Sequence, residues 1–192
     1  EPDHVDRACR AALGMERSIR ETTKDNPGGE WRCGIGLHTG EIVAGVMGSE
    51  QVFAYSVMGA VVNQSSRIEG ITKEVRVPIL VTEEIARQVT EKAALTRRVG
   101  KFRPAGMKTV LDLYELIPPS EGAEQTAAFK ASAERLAAGL AAFEKGEWEK
   151  AYDLLDELPT EDRAARYIKG LANIYEKKAP ENWDGAIKLS EK

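Results

Sequence analysis

The sequence predicts an α+β fold, with helices packed on a mainly antiparallel sheet and an all-α appendage at the C-terminal end. Three observations carry this. Val5, Ala8, Cys9, Ala12, Leu13 and Ile19 recur at three- and four-residue spacings, which is one apolar stripe of a helix over residues 3–23. Trp31, Cys33, Ile35 and Leu37 alternate with Arg32, Gly34, Gly36 and His38, which is strand period. Beyond Pro118–Gly122 the composition turns to Ala, Glu, Leu and Lys, and helical patterning takes over to the end.

The elements follow in order. Asn26-Pro27-Gly28-Gly29 breaks the chain after the first helix. Thr39-Gly40 is expected to turn the first strand into a second, Glu41–Val46. Gln51–Val57 is a third strand, Val61–Lys73 a helix and Val77–Val81 a short apolar strand. Thr82 is placed as the N-cap of a helix to about Thr90, with Glu83 and Glu84 in its first turn. Leu95–Phe102 and Val110–Leu116 close the sheet. The expected division is residues 1–117, a linker at 118–125 and a helical tail at 126–192. Within the tail, Phe129–Glu144, a helix opened by Gly146-Glu147-Trp148 and ended near Pro159, and Ala164–Tyr175 are predicted helices. Their Gly-x-Trp-x-x-Ala opening resembles a tetratricopeptide unit, and Phe143, Trp148, Tyr152, Tyr167 and Tyr175 read as core. One such unit cannot bury both faces, so it is expected to pack on the preceding domain or on a second chain.

Composition narrows the function. The 192 residues are 42% hydrophobic and 30% charged, with net charge −4, an ordinary globular balance without the basic face of a nucleic-acid binder. No stretch approaches the roughly 18 apolar residues of a membrane span. The two cysteines, Cys9 and Cys33, form no C-x-x-C pair and read as reduced thiols of a cytoplasmic protein. Two histidines and no Cys/His cluster argue against a zinc site.

Candidate chemistry centres on Tyr55–Gly70, YSVMGAVVNQSSRIEG. Asn63 and Arg67 are four apart and share one helix face near a helix start. A guanidinium fork, an amide and free N-terminal N–H groups suit an anionic, oxygen-rich ligand, although two exposed polar residues on an amphipathic helix would look the same. Gly34, Gly36, Gly40, Gly45 and Gly48 are not a phosphate loop, because no Lys-Ser/Thr pair follows; crowding and tight turns explain them better. In the longer run from Gly34, an H-T-G-E turn (His38–Glu41), a G-x-x-G-S turn (Gly45–Ser49) and V-N-x-x-x-R (Val62–Arg67) occur in order. That combination, with FRPAGMKTVLDLYEL at Phe102–Leu116, resembles the second half of a class III adenylate/guanylate cyclase catalytic domain over residues 3–116.

The resemblance implies a ferredoxin-like nucleotidyl cyclase sandwich, N-terminally incomplete. It also implies conversion of ATP to 3′,5′-cyclic AMP and pyrophosphate, with a two-metal site of Mg or Mn. By position, Asn63 looks like the ribose-orienting amide, Arg67 like the transition-state arginine and Ser56 like the purine-reading residue, whose hydroxyl favours ATP over GTP. Three departures stand against the pattern. The strands with the family's metal-binding aspartates are not in this chain, and Asp3 and Asp6 are poor substitutes. The triphosphate lysine falls at Ala105, with Lys108 three residues on. The acid that commonly follows the turn glycine is Ala60.

Hence these 192 residues alone are expected to be inactive, with exposed sheet edges that favour self-association, and the paired domains of the family imply a homodimer or a partner cyclase domain. A membrane anchor would belong to upstream segments. Two alternatives remain: a degenerate cyclase domain acting as a regulatory, dimerising or nucleotide-binding module, and a peptide-binding adaptor built on the tail. One repeat-like unit is little material for the adaptor's groove.

Overall fold

The computed structural model describes residues 2–49, 52–120 and 122–189. Its elements are α1 (His4–Thr23), β1 (Ile35–Leu37), β2 (Val43–Ser49), β3 (Val52–Met58), α2 (Ala60–Val75), β4 (Ile79–Thr82), α3 (Glu83–Gln88), β5 (Leu95–Arg103), β6 (Leu111–Ile117), α4 (Ala123–Glu144), α5 (Trp148–Asp156), α6 (Arg163–Lys177) and β7 (Ile187–Lys188). Residues 50, 51, 121 and 190–192, where parts of the expected third strand, linker and tail fall, lie outside the described residues.

A five-stranded sheet runs β1-β4-β6-β5-β7, and β2 and β3 form a separate two-stranded ribbon. The β4–β6 and β5–β6 ladders are antiparallel, whereas β1–β4 and β5–β7 are parallel. Here the structure departs from the expected hairpin at Thr39-Gly40. Ile35 and Leu37 register with Ile79 and Val81 of β4, and β2 registers with β3. The cause is the crossover through α2. A Cβ on Gly36 would lie 2.4 Å from the Glu69 backbone nitrogen, and one on Gly34 would lie 2.1 Å from the Thr72 hydroxyl. Without those side chains α2 settles directly onto β1, and the chain emerging from α2 pairs beside it as a βαβ unit does.

The two faces of the sheet have different cores. On one, α1 and α3 bury Val5, Cys9, Ala12 and Ile85 against Ile79, Val81 and Leu116. On the other, Ile68, Ile71 and Val75 of α2 and Val99, Phe102 and Leu113 of the sheet share one cluster with Leu136, Leu140, Phe143, Leu155 and Ile168 of the helical tail. The tail therefore packs on the domain before it. Trp148, Tyr152, Tyr167 and Tyr175 lie against this core, as their apolar patterning suggests. Burial of each large side chain contributes about 1.5–3 kcal/mol, so the tail completes a core that the sheet would otherwise leave open.

Ion pairs brace the same junction. Arg97 of β5 reaches Glu115 at 2.8 Å and Asp162, the N-cap of α6, at 2.6 Å, with all three side chains nearly buried. Arg98 bridges Asp112 at 2.7 Å and Glu144 of α4 at 2.6 Å. Desolvation pushes the Glu115 carboxyl above its usual range despite Arg97.

Candidate active site

The candidate residues lie along β3 and the first half of α2. Ser56 is on β3 opposite Gly45, exposed. Three residues later Gly59 turns the strand into the helix at φ 153, a conformation that side chains resist. No side chain caps α2, and the Val62 N–H donates to the Gly59 carbonyl at 3.2 Å, which closes its first turn. Asn63 and Arg67 then stand one turn apart, both exposed. The structure thus places the amide and the guanidinium together on one helix face, as the sequence predicts, and Ser56 on the strand feeding that helix.

The Arg67 guanidinium donates to the backbone carbonyl of Ala105, in the turn between β5 and β6. Position 105 is therefore beside Arg67. Lys108 is exposed further along that turn. The Ala105 carbonyl is the site component that sequence reading missed; a backbone acceptor leaves no residue-type signal.

The histidine of the H-T-G-E turn has a structural partner. Nδ1 of His38 lies 3.0 Å from the Thr82 hydroxyl, which ties the end of β1 to the end of β4. Thr82 does occupy the position before α3 in an extended conformation, but its side chain does not bond a helix N–H. That corrects the expected capping role: the hydroxyl faces His38 instead.

The chemistry of the two-metal site does not fit the described residues. Among them, no group of three or more His, Cys, Asp or Glu side chains converges on a point. Asp6 accepts from the Thr90 backbone N–H at 2.9 Å and its hydroxyl at 2.7 Å, and these bonds hold its carboxyl below the usual range. A cavity of about 760 Å³ beside Trp31, Cys33, Arg76 and Arg163 includes none of Ser56, Asn63 and Arg67. Within its lining, Arg20 pairs with Glu16, and Arg97 with Glu115 and Asp162.

A mixed sheet with a βαβ crossover, and an exposed amide and guanidinium on the crossover helix, define an α+β domain with a donor pair suited to an anionic ligand. The adenylate and guanylate cyclase catalytic domain matches residues 1–117, and the chain belongs to that family. It is 32% identical over 117 residues to adenylate cyclase 1 of Rhizobium meliloti (strain 1021), covering 59% of this chain and 17% of that protein. It is 33% identical over 85 residues to an adenylate cyclase of Anabaena cylindrica, covering 43% of this chain and 17% of that protein. The chain thus spans about a sixth of the length of these relatives. Among solved structures, the guanylyl cyclase Cya2 superposes with TM-score 0.53 at 26% identity, covering 63% of this chain and 61% of that one. The adenylyl cyclase CyaB from P. aeruginosa gives TM-score 0.53 at 17% identity over 62% of each chain, a likeness of fold.

Proposed function

We propose that this chain supplies the ribose- and phosphate-orienting half of an adenylate cyclase site, acting in conversion of ATP to 3′,5′-cyclic AMP and pyrophosphate. The observation that carries this reading is the pair Asn63 and Arg67, exposed one turn apart at the uncapped start of α2. Cyclisation needs the ribose held so that its 3′-hydroxyl faces the α-phosphorus, and fixed positive charge where the phosphoryl oxygens gain negative charge. Asn63 is assigned the first task, through donor and acceptor bonds to the sugar, and Arg67 the second, through its fork of N–H groups. Ser56 is assigned the purine, its hydroxyl accepting from the adenine amino group. Mg or Mn, as the family uses, would supply charge neutralisation and activation of the hydroxyl when bound. No step is assigned to a metal here, because the described residues offer it no ligand cluster.

Residues 1–117 form the cyclase unit in this reading, residues 118–125 the linker, which already enters α4 at Ala123, and the tetratricopeptide-like tail from 126 its scaffold. The unit works as a homodimer or beside a second cyclase domain, in the cytoplasm. Cyclic nucleotide output of the full-length protein on ATP and GTP with Mn²⁺ is the direct test, with this chain alone as the control. Cyclic AMP from the full-length protein, an inactive control, and loss of about 100-fold or more in Arg67→Ala support the reading. Cyclic GMP as the sole product would reassign Ser56. A second reading is favoured by Ala105, which brings no charge to the triphosphate: the domain binds nucleotide without turning it over and regulates a partner. Nucleotide binding with no product from either substrate selects it.

A further inference from the structure

After α6 the chain returns to the sheet and runs beside the strand that leads into the Ala105 turn. Ile187 and Lys188 of β7 register with Phe102 and Arg103 at the end of β5. The Leu189 N–H donates to the Arg103 carbonyl at 3.1 Å, and the Arg103 guanidinium donates to the Asp184 carboxylate at 2.7 Å. The far end of this segment is fixed in the tail. The Trp183 indole N–H donates to the Glu144 carbonyl at 3.0 Å, and its ring packs on Trp148, Phe143 and Tyr175 at 5.0, 5.4 and 5.5 Å between centroids. Immediately past Arg103 the chain turns, the Met107 N–H donating to the Pro104 carbonyl at 3.0 Å, and Ala105 accepts from Arg67.

We propose that the 183–189 segment is a positioning strap for Arg67: it fixes Arg103 and the turn that follows, and the Ala105 carbonyl in that turn aims the guanidinium. The catalytic consequence rests on the role given to Arg67 above, whereas the strap itself rests on geometry alone. Arg67 is long, exposed and rotamer-rich, so ordering it needs a fixed partner. A neutral carbonyl aims the guanidinium without cancelling its charge, and the remaining N–H groups stay available to a phosphate. Ala105 offers no side chain for the task, so the placement of its backbone decides where the guanidinium points. Arg103 holds the Asp184 carboxyl below its usual range, so the pair is charged at neutral pH.

The test uses the full-length protein with Leu189→Pro, which removes the N–H donor to Arg103, together with Asp184→Asn and the conservative Asp184→Glu. None of these touches α2. Hydrogen exchange of the 104–110 turn and the rate of Arg67 modification by phenylglyoxal are read by mass spectrometry without nucleotide. Both are expected to rise about fivefold in Leu189→Pro and Asp184→Asn, as loss of one modest hydrogen bond or ion pair allows, with Asp184→Glu near wild type. Turnover on ATP is expected to fall by a similar factor in kcat with KM unchanged, because an aimed transition-state group is lost and ground-state binding is not. Unchanged exchange and labelling in Leu189→Pro, with the protein folded by circular dichroism, overturn the strap. Raised exchange with unchanged kcat overturns positioning of a reacting group. A wild type that makes no cyclic nucleotide refutes the cyclase reading instead, and exchange and labelling still decide the strap.

Discussion

The β2–β3 ribbon and the β5–β6 ladder are both antiparallel pairs with strands of seven to nine residues, and they live in opposite surroundings. β5 and β6 are covered by the tail helices, crossed by Arg97 and Arg98, and share a core with α2 and α4–α6. The ribbon pairs only with itself among the described residues, and Val46, Phe53 and Tyr55 are 68%, 66% and 76% exposed. The contrast separates two uses of β structure in one chain. One ladder holds the fold together and carries the turn that meets Arg67. The other presents side chains outward and leads directly into the helix bearing Asn63 and Arg67.

If stability resides in the covered half, the largest loss should come from its centre. Phe143 is buried among Trp148, Tyr175 and Trp183. Phe143→Ala is expected to cost about 3–5 kcal/mol in urea unfolding, through lost burial and a residual cavity. A cost below about 1 kcal/mol would mean that the tail is not part of the cooperative unit. The brace comes next. Arg97→Ala leaves Glu115 and Asp162 nearly buried without their common cation, and about 3 kcal/mol should be lost.

Glu115 also gives the brace a pH signature. Burial raises its folded pKa above the unfolded value, so the folded state holds that proton more tightly. Its contribution is greatest below the unfolded pKa and declines as pH rises through the folded one. Glu115→Gln is expected to flatten that decline in urea midpoints measured upward from about pH 4, the ordinary glutamate range. An unchanged slope would show that the carboxyl is ionised in both states alike.

What was legible in the sequence tracks how local each determinant is. α1, α2 and α6 announce themselves by apolar spacing, and Asn63 with Arg67 is a helix-face pair readable from their numbers alone. The Thr39-Gly40 turn signal misleads because the contest is not local: Gly34 and Gly36 admit the α2 backbone and commit β1 to β4. β7 is two residues long and has no period to detect. Its only trace is the Asn182–Gly185 turn, where Asn182 and Gly185 adopt φ 51 and φ 83. Arg97 reaches Asp162 across 65 positions, and no spacing rule pairs them.

The ribbon should respond in the opposite way to the core. Its register sets Val46 opposite Tyr55, Ala44 opposite Val57 and Gly48 opposite Phe53. Directly opposed residues share a face, so Val46, Phe53, Tyr55 and Val57 form one apolar stripe, while Ser56 faces the other way with Met58. In the proposed function, this exposed apolar stripe is where a second cyclase domain would dock. Phe53→Lys should change unfolding free energy by no more than about 0.5 kcal/mol, as exposed substitutions do. The same change should shift sedimentation from dimer to monomer, because a charge in the middle of an apolar contact must be desolvated without a counter-ion. A dimer that survives Phe53→Lys would assign association to another face. A monomeric wild type would leave the stripe exposed in solution and remove the dimer from the proposed function. The two mutants together sharpen the contrast: Phe143→Ala loses stability, and Phe53→Lys loses association with stability intact.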